Sequence, residues 1–267
     1  MKPVLYDLML MGRQIPISAF GVFLLIAFFV SVSMARRALV TRFSIDSNAA
    51  LDLSLYTIIA GIVGGRLGYI LVNLDQFSDP TLAETLRKMF MIWRDSGLVF
   101  YGALAAGLVF THLYTKTWKV SLGEMLDAYA RPMLVGYAIA MVGALLHGLF
   151  TGRATGVPWG VEMYLEHRHP AQLYLAAAAL AIVGILRAQR DQALAPGTLF
   201  VLAIFLQAVG RFVVDFFVDA PAVAGPLTLG QVASGAVALG TVVLLARLQR
   251  QAPDTVEAPE PSAGAPA

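Results

Sequence analysis

Two arginines in this 267-residue chain stand where arginine is costly. Arg66 lies in Gly64-Gly65-Arg66-Leu67-Gly68-Tyr69 and Arg211 in Gly210-Arg211-Phe212-Val213-Val214-Asp215, each inside an otherwise apolar stretch. A guanidinium placed in hydrocarbon costs about 2.5–3.5 kcal/mol on insertion scales, so an arginine kept there faces a polar cavity and marks a site. Its planar fork of donors matches phosphate oxygens, and Gly64 and Gly65 would let a headgroup approach the backbone closely. An anionic ligand is the natural partner. The structural alternative is that Asp215, one helical turn after Arg211, neutralises it, while Arg66 snorkels toward an interface. The two readings are compatible, since a carboxylate can also hold a guanidinium in position for a phosphate.

Further groups could handle protons. His169-Pro170-Ala171-Gln172-Leu173-Tyr174 brings an imidazole, an amide and a phenol to the start of a helix, with Pro170 suited to its first turn. The same hexapeptide also reads as a helix start within an interfacial aromatic belt. Tyr101, followed by Gly102, offers a hydroxyl on a helix that could leave room for a ligand, and is equally an interfacial tyrosine. His147, near the end of the fourth apolar segment, reads first as a hydrogen-bonded structural group. Gly143, Gly148 and Gly152 recur through that segment and just beyond it, where small residues let helices touch. The chain has no cysteine, so any thiol chemistry must use the substrate's thiol. No metal site and no cofactor is expected.

The elements that position these groups are membrane helices. Hydrophobic residues make up 58% of the chain and charged residues 13%, against roughly 25% charged in soluble domains. Apolar segments cover residues 17–34, 53–74, 98–114, 133–150, 171–186, 199–218 and 229–245, which predicts an all-α polytopic membrane protein of about seven transmembrane helices. Arg36, Arg37, Arg42, Lys116, Lys119, Arg131, Arg187, Arg190, Arg247 and Arg250 fall on one side of the spans. Lys2, Arg13, Arg87, Lys88, Arg94, Arg153 and Arg168 fall on the other. The richer side reads as cytoplasmic, which puts the N-terminus outside and the C-terminus inside. Residues 80–94 read as an amphipathic helix on the outer surface. Residues 1–17 lack a small-residue cleavage pattern, so the first span is expected to stay as an anchor. Residues 1–250 form a single bundle in this reading, and the proline-rich, acidic residues 251–267 a disordered cytoplasmic tail.

Several function classes drop out on the same residues. A formal net charge of +2 and the lack of basic runs interleaved with aromatics argue against nucleic acid. The last span has no lysine for a retinal Schiff base, and no paired internal repeat suggests a secondary transporter.

The ordered landmarks Gly64 to Tyr69, Leu98 to Gly102, Gly152-Arg153, Pro158-Trp159-Gly160, His169 to Tyr174, Gly210-Arg211 and Leu229-Gly230-Gln231 resemble those of the bacterial prolipoprotein diacylglyceryl transferases. The resemblance spans nearly the whole bundle. It implies transfer of a diacylglyceryl group from phosphatidylglycerol to the lipobox cysteine of a preprolipoprotein, at the outer face of the inner membrane. The partners implied are membrane lipid and preprolipoprotein signal peptides. On that footing Arg211 and Arg66 bind phosphate, Arg153 assists from a loop, His169 or Tyr101 handles the proton, and Tyr69, Gln172 and Tyr174 line the lipid site. Asp215, Gly64, Gly65, Gly143 and Gly152 support them.

The sequence departs from the family's Gly-Arg-x-Gly-Asn-Phe-x-Asn-x-Glu-x-x-Gly signature, which falls on residues 140–152. Met141 replaces the arginine, Ala144 the first asparagine, His147 the second, and Leu149 the glutamate. Phe20 stands for a tyrosine, Leu175 for a glutamate, and Asp215 for a longer glutamate. Buried polar groups lost together imply that their partners were dispensed with as a set, since a stranded one costs a few kcal/mol. The alternative reading is therefore a non-catalytic paralogue that binds anionic lipid or a membrane partner.

Overall fold

In a bilayer a spanning segment must satisfy its own backbone hydrogen bonds, and the apolar segments do so as α-helices. The computed structural model describes residues 4–10, 13–77, 81, 85, 87, 88, 100–189 and 194–250. Among them run α1 (Ala19–Phe43), α2 (Ser47–Val72), α3 (Phe100–Thr115), α4 (Leu122–His147), α5 (Ala171–Ala188), α6 (Thr198–Val214) and α7 (Leu229–Gln249). All but α3 are long and apolar enough to cross a membrane; α3 has 16 residues, or roughly 24 Å at 1.5 Å per residue. The chain is thus a multi-pass membrane protein.

Side chains fix where these helices begin. Ser18, Asp46, Ser121 and Thr228 each accept a hydrogen bond from a first-turn N–H, and the last two form capping boxes with Glu124 and Gln231. Asp46, Ser121 and Thr228 lie outside the purely apolar windows, and several helices overrun their expected limits. α1 continues nine residues past 34 to Phe43, and α4 begins at Leu122 and carries Pro132 in its interior instead of starting after it. α4 then ends at His147, short of residue 150, because Gly148 turns left-handed at φ 81° and donates to the carbonyls of Ala144 and Leu145. α6 stops at Val214 and passes into a 3-10 turn, Asp215–Phe217, so Asp215 lies just beyond the helix.

Helix α4 is central, packing on α1, α5 and α6, while α7 packs on α6. Helices α2 and α3 form a tight pair joined to the rest chiefly through α1. One apolar cluster fills the body from Leu134 and Met141 through Leu175 and Ile182 to Val214. A second, with Leu39, Leu53 and Met125, ties α1, α2 and α4 together at the opposite end.

Among the described residues there are also three antiparallel hairpins, absent from the sequence-based expectation: β1–β2 (Val4–Leu10, Arg13–Ser18), β3–β4 (Val161–Met163, Glu166–Arg168) and β5–β6 (Ala222–Ala224, Leu227–Thr228). The β3–β4 turn places Tyr164 and Leu165 at positive φ, the conformation a two-residue hairpin needs. The amphipathic helix expected over residues 80–94 falls almost wholly outside the described residues, and the tail 251–267 does so entirely.

Candidate active site

Arg211 sits in the last turn of α6, nearer the helix end than mid-span, and Asp215 follows one turn later. The guanidinium Nε lies 2.7 Å from Asp215 Oδ1. The two partners differ in burial: the Asp215 side chain is 2% exposed and that of Arg211 26%. A buried carboxylate therefore anchors a cation whose outer part remains accessible. Nothing larger than glycine fits above the pair, since a Cβ on Gly230 at the start of α7 would collide with Asp215 Oδ2. The capping box of Thr228 and Gln231 holds that glycine in place, with Thr228 N–H donating to Gln231 Oε1 at 2.9 Å. Phe150 covers the guanidinium at 5.3 Å, and the Tyr137 hydroxyl of α4 reaches both Arg211 and Gln207.

The 3-10 turn after Arg211 carries a second group of candidates. Gly152 pairs with Val218 as an isolated β-bridge. Arg153 donates its N–H to Phe217 O at 2.8 Å and its Nε to Val218 O at 3.1 Å. His169 N–H in turn donates to Arg153 O at 3.0 Å. Gly152 is required there because a Cβ would strike the carbonyl of His169. Arg153 thus ties this loop to the turn after α6 through its backbone N–H and its Nε, while the residue remains exposed.

His169 Nδ1 lies 3.1 Å from the Tyr174 hydroxyl, which also accepts from Trp159 Nε1 at 2.8 Å. The Phe217 ring packs edge-on against both, at 5.0 Å from His169 and 5.8 Å from Tyr174. Pro170 occupies the N-cap of α5, one position earlier than expected. Gln172 is fully buried; its amide nitrogen donates to Leu149 O, while its Oε1 has no donor. Gln207 Oε1 is likewise buried without a donor. Gln207 stands one turn before Arg211, so its unpaired acceptor and the anchored cation can together take an anion carrying hydroxyl groups. Arg168 rims the group, binding Asp219 at 2.8 Å and Glu166 at 2.6 Å. Asp219 first, then Glu166, holds its guanidinium above its already high range, so this rim cation stays charged at any working pH.

Arg66 and its neighbours make a separate group. Arg66 is buried six residues before the end of α2, so it too lies near a helix end; it donates to Lys88 O at 2.7 Å. Its guanidinium sits 5.5 Å from the Tyr69 ring and 5.4 Å from the Phe77 ring. Gly64 presses on Gly102 and Ala106 of α3, which is how α2 and α3 approach so closely, and Gly65 is buried beside it. Tyr101 precedes Gly102 in the first turn of α3, and its side chain lies outside the described residues. Gly143 packs on Phe20 and Phe23 of α1, away from both groups.

The positions that depart from the family signature converge. Met141, Ala144 and Leu175 are buried in one apolar cluster, and Phe20 and Leu149 pack against it. All five positions thus belong to one apolar cluster in the body of the bundle. Among the described residues no group of three His, Asp or Glu side chains could hold a metal ion. Sequence reasoning missed Phe217, Asp219 and the room that Gly230 leaves for Asp215; Trp159 and Gly230 had a signal in the Pro158-Trp159-Gly160 and Leu229-Gly230-Gln231 landmarks.

A family model described as prolipoprotein diacylglyceryl transferase matches residues 7–247. A phosphatidylglycerol–prolipoprotein diacylglyceryl transferase of Campylobacter curvus is 32% identical over 185 residues, covering 67% of this chain and 68% of that protein. One of Clostridium tetani is 26% identical over 223 residues, covering 81% and 85%. One of Cutibacterium acnes is 31% identical over 175 residues, covering 61% of this chain and 58% of its own length. The chain belongs to the prolipoprotein diacylglyceryl transferase family.

Proposed function

We propose that this chain transfers a diacylglyceryl group from phosphatidylglycerol to the lipobox cysteine of a preprolipoprotein, in the bacterial inner membrane. Residues 1–250 act as one membrane bundle in this reading. The substrate thiolate attacks the glyceryl carbon, a C–S bond forms as the C–O bond to phosphate breaks, and the electron pair leaves with glycerol phosphate. The thiol proton passes to a base. Because the phosphate gains charge as it leaves, a fixed cation lowers the barrier by binding it more tightly at that moment.

The observation that carries the reading is Arg211, a partly accessible guanidinium held by the buried Asp215 beside the His169–Tyr174 pair's own brace, the Asp215–Phe217 turn. Arg211 binds the leaving phosphate. His169, hydrogen-bonded to Tyr174, takes the proton from a thiol whose unperturbed pKa is about 8.5; Tyr101 is the other candidate. Gln172 and Tyr174 line the headgroup. Arg66 and Tyr69 hold lipid from the α2–α3 side. Thioether formation from phosphatidylglycerol and a lipobox peptide, followed by mass spectrometry, tests this: product with the native chain and none with Arg211→Ala is expected. A native chain without product sinks it.

The apolar patch of Met141, Ala144, Leu175, Phe20 and Leu149 favours one other reading, a paralogue that binds anionic lipid without turnover. Retained phosphatidylglycerol with no thioether in the same assay would select it.

A further inference from the structure

The segment between the end of α4 and Gly152 holds a bulky residue in a backbone conformation that suits glycine. Phe150 has φ 54°, in the left-handed region, where an aromatic residue is an outlier. Two residues earlier the chain needs a left-handed residue as well, at φ 81°, and there it places Gly148. The conformation of Phe150 is imposed from both sides. Before it, Leu149 N–H donates to Ala144 O at 2.9 Å, and Leu149 O accepts from the Gln172 amide. After it, Thr151 O accepts from Asp219 N–H at 2.9 Å, and Gly152 bridges Val218. A strained residue persists only where its surroundings over-determine it, and such residues gather at ligand sites.

Burial does not account for a phenylalanine here, since Phe150 is 45% exposed. What its ring meets is Arg211, whose Cζ lies over it, 5.3 Å from the centroid. Asp215 takes the Nε of the same guanidinium at 2.7 Å, and the Tyr137 hydroxyl bonds it from α4. A carboxylate, a hydroxyl and a π face thus act on one cation, and of the three residues Phe150 alone has a left-handed backbone. An aromatic face attracts a guanidinium and keeps water from it, which strengthens the bonds that its remaining donors make.

We propose that Phe150 is a positioning residue, kept in a strained backbone so that its ring covers one face of Arg211 and tightens the hold of that cation on an anionic headgroup. The inference rests on the phosphate-binding role proposed above for Arg211.

The test uses the full chain, delipidated in detergent and titrated with phosphatidylglycerol in the absence of lipobox peptide. Bound lipid is read by native mass spectrometry and the thermal midpoint is measured alongside. Binding is read without turnover, so the measurement stands whether or not the native chain makes thioether. Phe150→Ala removes the ring and keeps the strain, whereas Phe150→Gly removes both. Each should weaken phosphatidylglycerol binding about fivefold, while the glycine variant melts above the alanine one. Phe150→Tyr, which keeps a π face, should stay within about twofold of the native affinity. In an Arg211→Gln chain, Phe150→Ala should cause no further loss. Affinity that recovers along with stability in the glycine variant overturns the inference, because the ring would then act only through the fold. So does native affinity in the alanine variant, a glycine variant no more stable than the alanine one, or an equal loss in the Arg211→Gln chain. Native affinity in Arg211→Gln alone would remove the phosphate-binding role itself, and the inference with it.

Discussion

At the scale of single residues, the anchored guanidinium makes sharp demands. Arg211→Lys keeps a cation but loses the planar fork that ion-pairs with Asp215 through Nε and leaves its outer part accessible. Transfer should fall at least about a hundredfold, with most of the loss in kcat because the phosphate charge develops in the transition state. Gly230→Ala tests the same pair from the other side. The added methyl meets Asp215 Oδ2, so the carboxylate or α7 must shift, at about 1–3 kcal/mol of stability. A lowered thermal midpoint together with lost transfer is expected; an unchanged midpoint would mean the helices yield freely. Tyr174→Phe removes the acceptor of Trp159 and the partner of His169, and should shift the pH–rate profile as well as lower the rate, if His169 is the base. The types of Arg211, His169 and Tyr174 were legible in the sequence because a charged or titratable group in an apolar run is conspicuous. Their partners were not: Phe217 and Gly230 reach them from segments far along the chain, and an unremarkable phenylalanine or glycine carries no sign of what it touches.

At the scale of elements, the helix pairings rest on a few small contacts. Gly64 of α2 lies against Gly102 and Ala106 of α3 so closely that a Cβ at either glycine would collide with the backbone of the other helix. Gly64→Val should therefore drive α2 and α3 apart and destabilise the protein by about 2–4 kcal/mol, measured as a drop in the denaturant midpoint. The start of α6 depends on one carboxylate from α4. Asp127→Ala would leave the N–H groups of Gly197 and Phe200 without their acceptor, a loss of about 1–2 kcal/mol. The helices themselves were readable because the bilayer imposes one length and one polarity on each. The ends and hairpins were less so. Helix starts follow polar caps such as Ser121 that sit outside the hydrophobic window, and strands of two or three residues, such as β3–β6, are too short to show an alternating pattern. The loop around Arg153 was among the landmarks of the resemblance, but its pairing with residues 217–218 was not legible there.

At the scale of the whole molecule, the arrangement is polarised. Arg211, Asp215, His169 and Tyr174 stand where α4 and α6 end and α5 and α7 begin. Arg36, Arg37, Arg42 and Arg187 stand at the opposite helix ends, as does the Lys116–Trp118 turn. Cytoplasmic loops retain positive charge during insertion, so we propose that the arginine-rich end lies inside and the site around Arg211 outside. The donor lipid and the lipobox thiol would then meet on the outer face, where glycerol phosphate can leave into water. A chain with no cysteine makes that direct to test, because each introduced thiol reports alone. Leu165, 95% exposed at the β3–β4 tip, should as Leu165→Cys react in intact cells with a membrane-impermeant maleimide. Thr117→Cys, on the exposed turn after α3, should react only once the membrane is opened. The reverse pattern would invert the bundle and put the Arg211 site on the cytoplasmic face, where an exported thiol could not reach it.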